Sequence, residues 1–242
     1  MFMAAVALIV RPLNVVGTII LARLLDPSDF GAVALAMVLL GTTYMFIGLG
    51  MGSALIHSDE DQGKVAFQTF VVTILSGLTV FLLLRFNVEL AAAILGNLDV
   101  DVFNSLLPLV LFSALTVIPE AMLKKQLLFG RVSVATIVSE VSYMVMAIIL
   151  AWLDFGLWSL VYARLSSAFL KLFLVWIFNP SWTWLRPKRW DWALSRRLLR
   201  YGLPITGGGF VSYFHTHWDD WFVGRQFGTQ ALGYYTKAYD LS

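Results

Sequence analysis

Nine ionisable side chains lie three or more residues inside the ends of the long apolar stretches of this 242-residue chain: Arg11, Glu120, Glu140, Arg164, Lys171, His215, His217, Asp219 and Asp220. In a hydrocarbon layer each would cost at least about 2.5–3.5 kcal/mol, so groups of this kind face a protein interior or a watery cavity. Arg164 and Lys171 are seven residues apart, two helical turns, and therefore share a face. Arg164 has no evident acidic partner, and a guanidinium facing a cavity is suited to grip phosphate through two parallel hydrogen bonds. Arg11, Arg164 and Lys171 together would give a cationic interior. Glu140 is expected about 12 Å deep and Lys171 roughly 10 Å deep from the same side, close enough to pair; Arg11, at about 14 Å, could share that carboxylate. His215 and Asp219, four residues apart, lie on one helical face, where a carboxylate could exchange an ion or proton and a histidine tune the step. The plainer alternative solvates Asp219 and Asp220 at a helix end or pairs them with Arg225.

The elements that position these groups are read from hydrophobicity. Hydrophobic residues make up 59% and charged residues 13% of the chain, with mean hydropathy +0.79. A water-facing domain carries about 25% charged residues, so a soluble globular surface is excluded. The pattern predicts an all-α polytopic membrane protein with about seven spans, each near the ~20 residues a bilayer core requires. They are Phe2–Leu25, Phe30–Ile56, Val65–Phe86, Phe103–Leu123, Val132–Leu153, Leu157–Phe178 and Leu203–Val223. An eighth would begin near Tyr234. The connections are short, except for Asn87–Asp101, which is expected to lie at the interface. Phe2–Val10 is read as part of a span rather than a cleaved signal, because no small-residue cleavage site follows.

Basic residues set the orientation. Lys64, Lys124, Lys125, Arg131, Arg186, Lys188, Arg189, Arg196, Arg197 and Arg200 all follow even-numbered spans. The positive-inside rule then places those connections and the N-terminus in the cytoplasm. Between Trp176 and Tyr201, five tryptophans interleave with six basic residues. That mixture could bind nucleic acid, but beside a span it reads as an interfacial belt against anionic lipid. Trp190–Tyr201 is expected as an amphipathic surface helix. The chain has no cysteine, no G-x-x-x-x-G-K-S/T phosphate loop and no H-E-x-x-H zinc pair; the spacing in His-Thr-His-Trp-Asp-Asp (215–220) matches no standard metal site. The expectation is a protein that is not an enzyme and carries neither cofactor nor metal.

Residues 22–36 are echoed at 224–238 with an offset of 202: Arg23 aligns with Arg225, Gly31 with Gly233 and Ala36 with Ala238. Each copy closes one apolar run and opens the next, as an internally repeated membrane protein would. The division that follows is a transmembrane lobe over 1–180, a cytoplasmic linker over 181–202, and the start of a second lobe over 203–242.

ILARLLDPSDFGAVALA (20–36), GLGMGSALIH (48–57) and DDWFVGRQFGTQALGYYTKAYDLS (219–242) resemble signature stretches of the polysaccharide-exporting, Wzx-type flippases. These form part of the multidrug/oligosaccharidyl-lipid/polysaccharide superfamily, and the nearest subgroup is that of lipopolysaccharide or colanic acid biosynthesis proteins. The pattern L-A-R-L-L-x-P-x-D-F-G is matched at Leu21–Gly31, and D-x-x-x-x-G-R-x-x-G-x-x-x-L-G-Y-Y at Asp219–Tyr235. The resemblance implies two six-helix lobes around a cavity open to one side at a time, of which this chain holds the first lobe and the first helix of the second. It also implies transport of an undecaprenyl-pyrophosphate-linked oligosaccharide to the outer leaflet of a bacterial inner membrane. The partners expected are that lipid-linked oligosaccharide, membrane lipid, the missing C-terminal lobe and other polysaccharide-assembly proteins, with no nucleic acid. Arg23, Gly31, Arg225 and Gly233 are assigned structural roles. Two other readings stay open: a cation-coupled multidrug exporter of the same superfamily, and a membrane scaffold that transports nothing.

Overall fold

The apolar runs fold into helices whose faces are arranged the wrong way round for water. In the computed structural model, which describes residues 15–240, helix α4 (Gln62–Phe86) buries Gln68, Thr69, Thr73 and Gly77 while Leu75, Leu78, Leu82 and Leu83 point outward. Helix α8 (Phe129–Trp152) buries Ser133, Ala135, Ser139 and Ala147, and exposes Val134, Val138, Val145 and Ile149. Small and polar residues inside with large aliphatics outside are what lipid, rather than water, demands of a bundle.

The other helices are α1, described over Val15–Leu24, α2 (Pro27–Ile47), α3 (Met51–His57), α5 (Val88–Leu95), α6 (Val100–Leu106), α7 (Pro108–Lys125), α9 (Leu157–Ile177) and α10 (Trp192–Asp240). A single 3-10 turn, Thr183–Leu185, precedes α10. There is no strand among the described residues. Among the described residues, five segments are long and apolar enough to cross a membrane: α2, α4, α6–α7 together, α8 and α9. The described part of α1 is shorter and apolar. The expected seventh span lies inside α10, where three glycines, two histidines and two aspartates dilute the hydrophobicity.

Two expected spans are broken. The second stops at Ile47 because Leu49 (φ 43°) and Gly50 (φ 68°) turn the chain into the left-handed region before α3; the Ser76 hydroxyl takes up the Ile47 carbonyl exposed there. The fourth divides at Leu107–Pro108. Inside α7, Pro119 has no N–H to offer the Leu115 carbonyl, and the Trp176 indole N–H donates to that oxygen at 3.0 Å instead. Asn179 donates to the Pro119 carbonyl at 3.0 Å. Trp176 and the buried Trp184 therefore belong to an aromatic cluster on Phe70, while Trp182 and Trp192 keep the exposed position expected of an interfacial belt.

The expected surface helix at Trp190–Tyr201 begins at Trp192 and runs without interruption into the next span as α10, which breaks only at Gly228 (φ 84°). Beyond Gly228 the chain reverses. The Tyr235 hydroxyl donates to Asp219 at 2.7 Å, whereas sixteen residues of straight helix would separate the two by about 24 Å. α10 lies antiparallel along α2, the most extensive helix pair among the described residues. A Cβ on Gly31 would overlap the Thr229 carbonyl, and one on Gly233 would overlap the Pro27 carbonyl. Residues 27 and 229, like 31 and 233, differ by the 202-residue offset of the sequence echo. The contact is thus reciprocal, the geometry of a local two-fold axis.

Three ion pairs pin the segment before and at the start of α10 to the α3–α4 connection and the first turn of α4: Lys188–Asp61 at 2.9 Å, Lys64–Asp191 at 2.7 Å and Arg197–Glu60 at 2.9 Å. The Lys188 ammonium holds the Asp61 carboxyl below the usual carboxylate range, and Lys64 does the same for Asp191. A carboxyl with a depressed folded-state pKa stabilises above its unfolded value, about 3.9 for aspartate, and that contribution disappears as pH falls through the folded value. Hydrogen exchange over residues 186–195, measured relative to the intrinsic rate at each pH, should therefore stay slow at neutral pH and become fast below about pH 4. The double change Asp61→Asn and Asp191→Asn should give the fast pattern at pH 7; identical exchange in that variant would show that the pairs do not hold the segment.

Candidate functional site

α7, α8 and α9 converge with α2 and α3 on a cavity of about 420 Å³, within the range of roughly 300–1,000 Å³ typical of small-ligand sites. Arg164, Lys171, Lys124, Glu120 and Glu140 all line it, with Tyr44, Ser53, Ser113 and Thr116. Three cations stand against two carboxylates, a formal surplus of one positive charge. The structure thus brings together three of the expected site residues, Arg164, Lys171 and Glu140. Arg11 lies outside the described residues.

The expected Glu140–Lys171 pair does not form. Ser167 Oγ donates to the Ser139 carbonyl at 2.9 Å, and this fixes the antiparallel register of α8 and α9. Ala135 then lies opposite Lys171, with Glu140 about five residues, ~7.5 Å, further along. Lys171 pairs instead with Glu120 at 3.2 Å, and Lys124 pairs with the other oxygen of the same carboxylate at 2.6 Å. Glu120 sits five residues before the end of α7 and Lys171 six before the end of α9, so the two meet at similar depth. Sequence reasoning placed Glu120 among the buried charges but gave it no partner. The spacing of Glu120 and Lys124 by four residues was the available signal.

Arg164 has no acidic partner within ion-pair distance among the described residues; its guanidinium lies over the Tyr143 ring, 5.2 Å from the centroid. A cation held on an aromatic face keeps its in-plane N–H donors available. Of the side-chain hydroxyls lining the cavity, Ser139 is committed to the Thr136 carbonyl, Thr116 to that of Phe112 and Ser167 to that of Ser139. The cavity therefore offers charged donors from Arg164, Lys171 and Lys124, an arrangement that fits a multiply charged oxyanion.

The other expected pair lies apart from this cavity. His215 is exposed on α10, and no hydrogen bond joins it to Asp219. Asp219 accepts from Tyr235, and its second carboxylate oxygen is buried without a partner. His217 stacks on Tyr213 with centroids 4.1 Å apart, lining a separate apolar cavity of about 290 Å³ between α2 and α10. No group of three or more histidine, cysteine, aspartate or glutamate side chains suited to a metal ion occurs among the described residues.

Comparison with known proteins agrees with this architecture. The model of a family described as "Polysaccharide biosynthesis protein" matches residues 20–242. The succinoglycan biosynthesis transport protein ExoT of Rhizobium meliloti (strain 1021) is 30% identical over 228 residues, covering 90% of this chain. A solved inward-facing multidrug resistance MATE family transporter of the MOP superfamily superposes with a TM-score of 0.71 over 95% of the chain, at 18% identity, a likeness of fold alone. The chain spans 44% of the length of the first of these relatives and 57% of the second.

Proposed function

The chain belongs to the polysaccharide biosynthesis protein family, and on that premise we propose that it moves a polyprenyl-pyrophosphate-linked oligosaccharide across the bacterial inner membrane by alternating access. The observation that carries the reading is the cavity: Arg164, Lys171 and Lys124 converge inside a bundle whose outer faces are apolar, where charge is retained only for a purpose. Arg164 takes a phosphate oxygen pair, Lys171 and Lys124 add point charge, and the polyprenyl chain stays in the lipid beside the exposed aliphatic stripes. Lys124, Lys125 and the basic residues of 186–200 mark the cytoplasmic side by the positive-inside rule, so the cavity loads from the leaflet where lipid-linked sugars are built. Asp219, with one buried carboxylate oxygen lacking a partner, is better placed for ion coupling than the exposed His215; Glu140, facing the cavity, is the second candidate.

A cationic surplus disfavours the cationic drugs of a multidrug exporter, and a scaffold would have no use for the cavity. The test is reconstitution of the protein, as its gene expresses it, into vesicles holding a fluorescent polyprenyl-diphosphate oligosaccharide. Transfer of label between leaflets is expected; a rate equal to that of protein-free vesicles refutes the proposal.

A further inference from the structure

Glu120 is the one carboxylate that holds two of the cavity's three cations. Its oxygens take Lys124 at 2.6 Å and Lys171 at 3.2 Å, and its side chain is 17% exposed, against 36% and 34% for the two lysines. It follows Pro119, whose freed Leu115 carbonyl is fastened to Trp176 and whose own carbonyl is fastened to Asn179 on the segment after α9. The carboxylate is therefore set by a fixed stretch of backbone, with both lysines reaching to it from flexible stems. Arg164 is left outside this triad.

We propose that Glu120 is a built-in stand-in for the substrate's anionic headgroup: it occupies Lys124 and Lys171 while the cavity is empty, and a diphosphate displaces it. The inference rests on the headgroup reading above and adds a release step to it. A carboxylate carries one negative charge and two acceptor oxygens, while a diphosphate carries more of both, so the exchange favours the incoming ligand when Arg164 contributes as well. Once the ligand is bound, Glu120 lies against a like charge, and this repulsion limits how tightly the headgroup can be held. Without Glu120 the lysine pair would bind the anion more strongly and let it go more slowly. Glu140 faces the same cavity but holds neither lysine, so it does not perform this exchange.

The test uses the protein in lipid nanodiscs with inorganic diphosphate as the probe. Glu120→Gln should raise diphosphate affinity about tenfold, while export of polysaccharide in cells falls because release slows. Unchanged or weaker binding by Glu120→Gln, in a preparation where Arg164→Gln lowers affinity, overturns the stand-in role and leaves the headgroup reading intact. Diphosphate binding that is indifferent to Glu120, Lys171 and Arg164 alike removes the headgroup reading, and this inference with it. A second measurement needs no variant. A water-soluble carbodiimide should join the Glu120 carboxylate to the Lys124 or Lys171 amine as an amide, with loss of water to the reagent, giving a cross-linked peptide visible by mass spectrometry. Saturating diphosphate should suppress that cross-link at least fivefold; a cross-link that persists while diphosphate is bound overturns the displacement.

Discussion

Replacing Arg164 with glutamine should lower diphosphate affinity by tenfold to a hundredfold and reduce polysaccharide export by a similar factor, without loss of the protein from the membrane. The reasoning begins with its surroundings. Arg164 lines the cavity, carries no ion pair among the described residues, and rests on Tyr143. Its removal therefore strands no buried carboxylate, and the fold should tolerate it. What disappears is the charge-assisted hydrogen bonding to phosphate, worth about 1.5–3 kcal/mol, which corresponds to that range of affinity. Arg164→Lys should recover only part of the loss, because an ammonium cannot present the paired donors of a guanidinium. Binding measured by calorimetry, export by surface-glycan staining, and membrane content by immunoblot separate the possible outcomes. Full export by Arg164→Gln at normal membrane content would remove this residue from the site.

The contrast with Lys171 is informative. Lys171→Gln should also weaken binding, but it relieves Glu120 of one of its two partners and leaves a mostly buried carboxylate on Lys124 alone. Breaking one partner from such a group destabilises because the remaining charge is under-compensated. A fall in thermal stability is therefore expected for the lysine variant and not for the arginine variant.

The location of the charged groups was largely legible in the sequence, because an ionisable residue within an apolar run stands out whatever its neighbours. The pairing was not. Glu140 and Lys171 were expected at one level because the fifth span was begun at Val132; α8 begins at Phe129, three residues earlier, and a register error of that size moves a carboxylate by nearly a full turn. The interruption at Leu49–Gly50 was also hidden: a leucine at φ 43° is a product of tertiary packing that composition does not encode. The repeat behaved differently. Arg23 is exposed on α1, whereas the matched glycines meet face to face, so the offset counted along the chain became a symmetry in space.

That symmetry gives the second large effect. Gly31→Ala and Gly233→Ala should each destabilise the protein by about 3 kcal/mol, a fall of roughly 6–12 °C in Tm for a domain of this size. A methyl group at either position would occupy the place of a backbone carbonyl oxygen, that of Thr229 or of Pro27. Backbone cannot swing aside as a flexible side chain does, so α2 and the segment after Gly228 must separate, and the packing between them is lost along with the contact. Because both glycines serve one reciprocal crossing, separation caused by the first change makes room for the second. The double variant should lose clearly less than the sum of the singles, which is the mark of coupled sites. Gly207 and Gly208 provide the control on the same helix: a Cβ added at either meets nothing within 4 Å. Alanine there should be neutral or stabilise by up to about 1 kcal/mol, since helix interiors favour alanine over glycine. Thermal unfolding in detergent, followed by tryptophan fluorescence, measures all five variants. Strictly additive losses at 31 and 233, or losses at 207 and 208 of equal size, would show that the crossing is not the shared contact that the 202-residue offset describes.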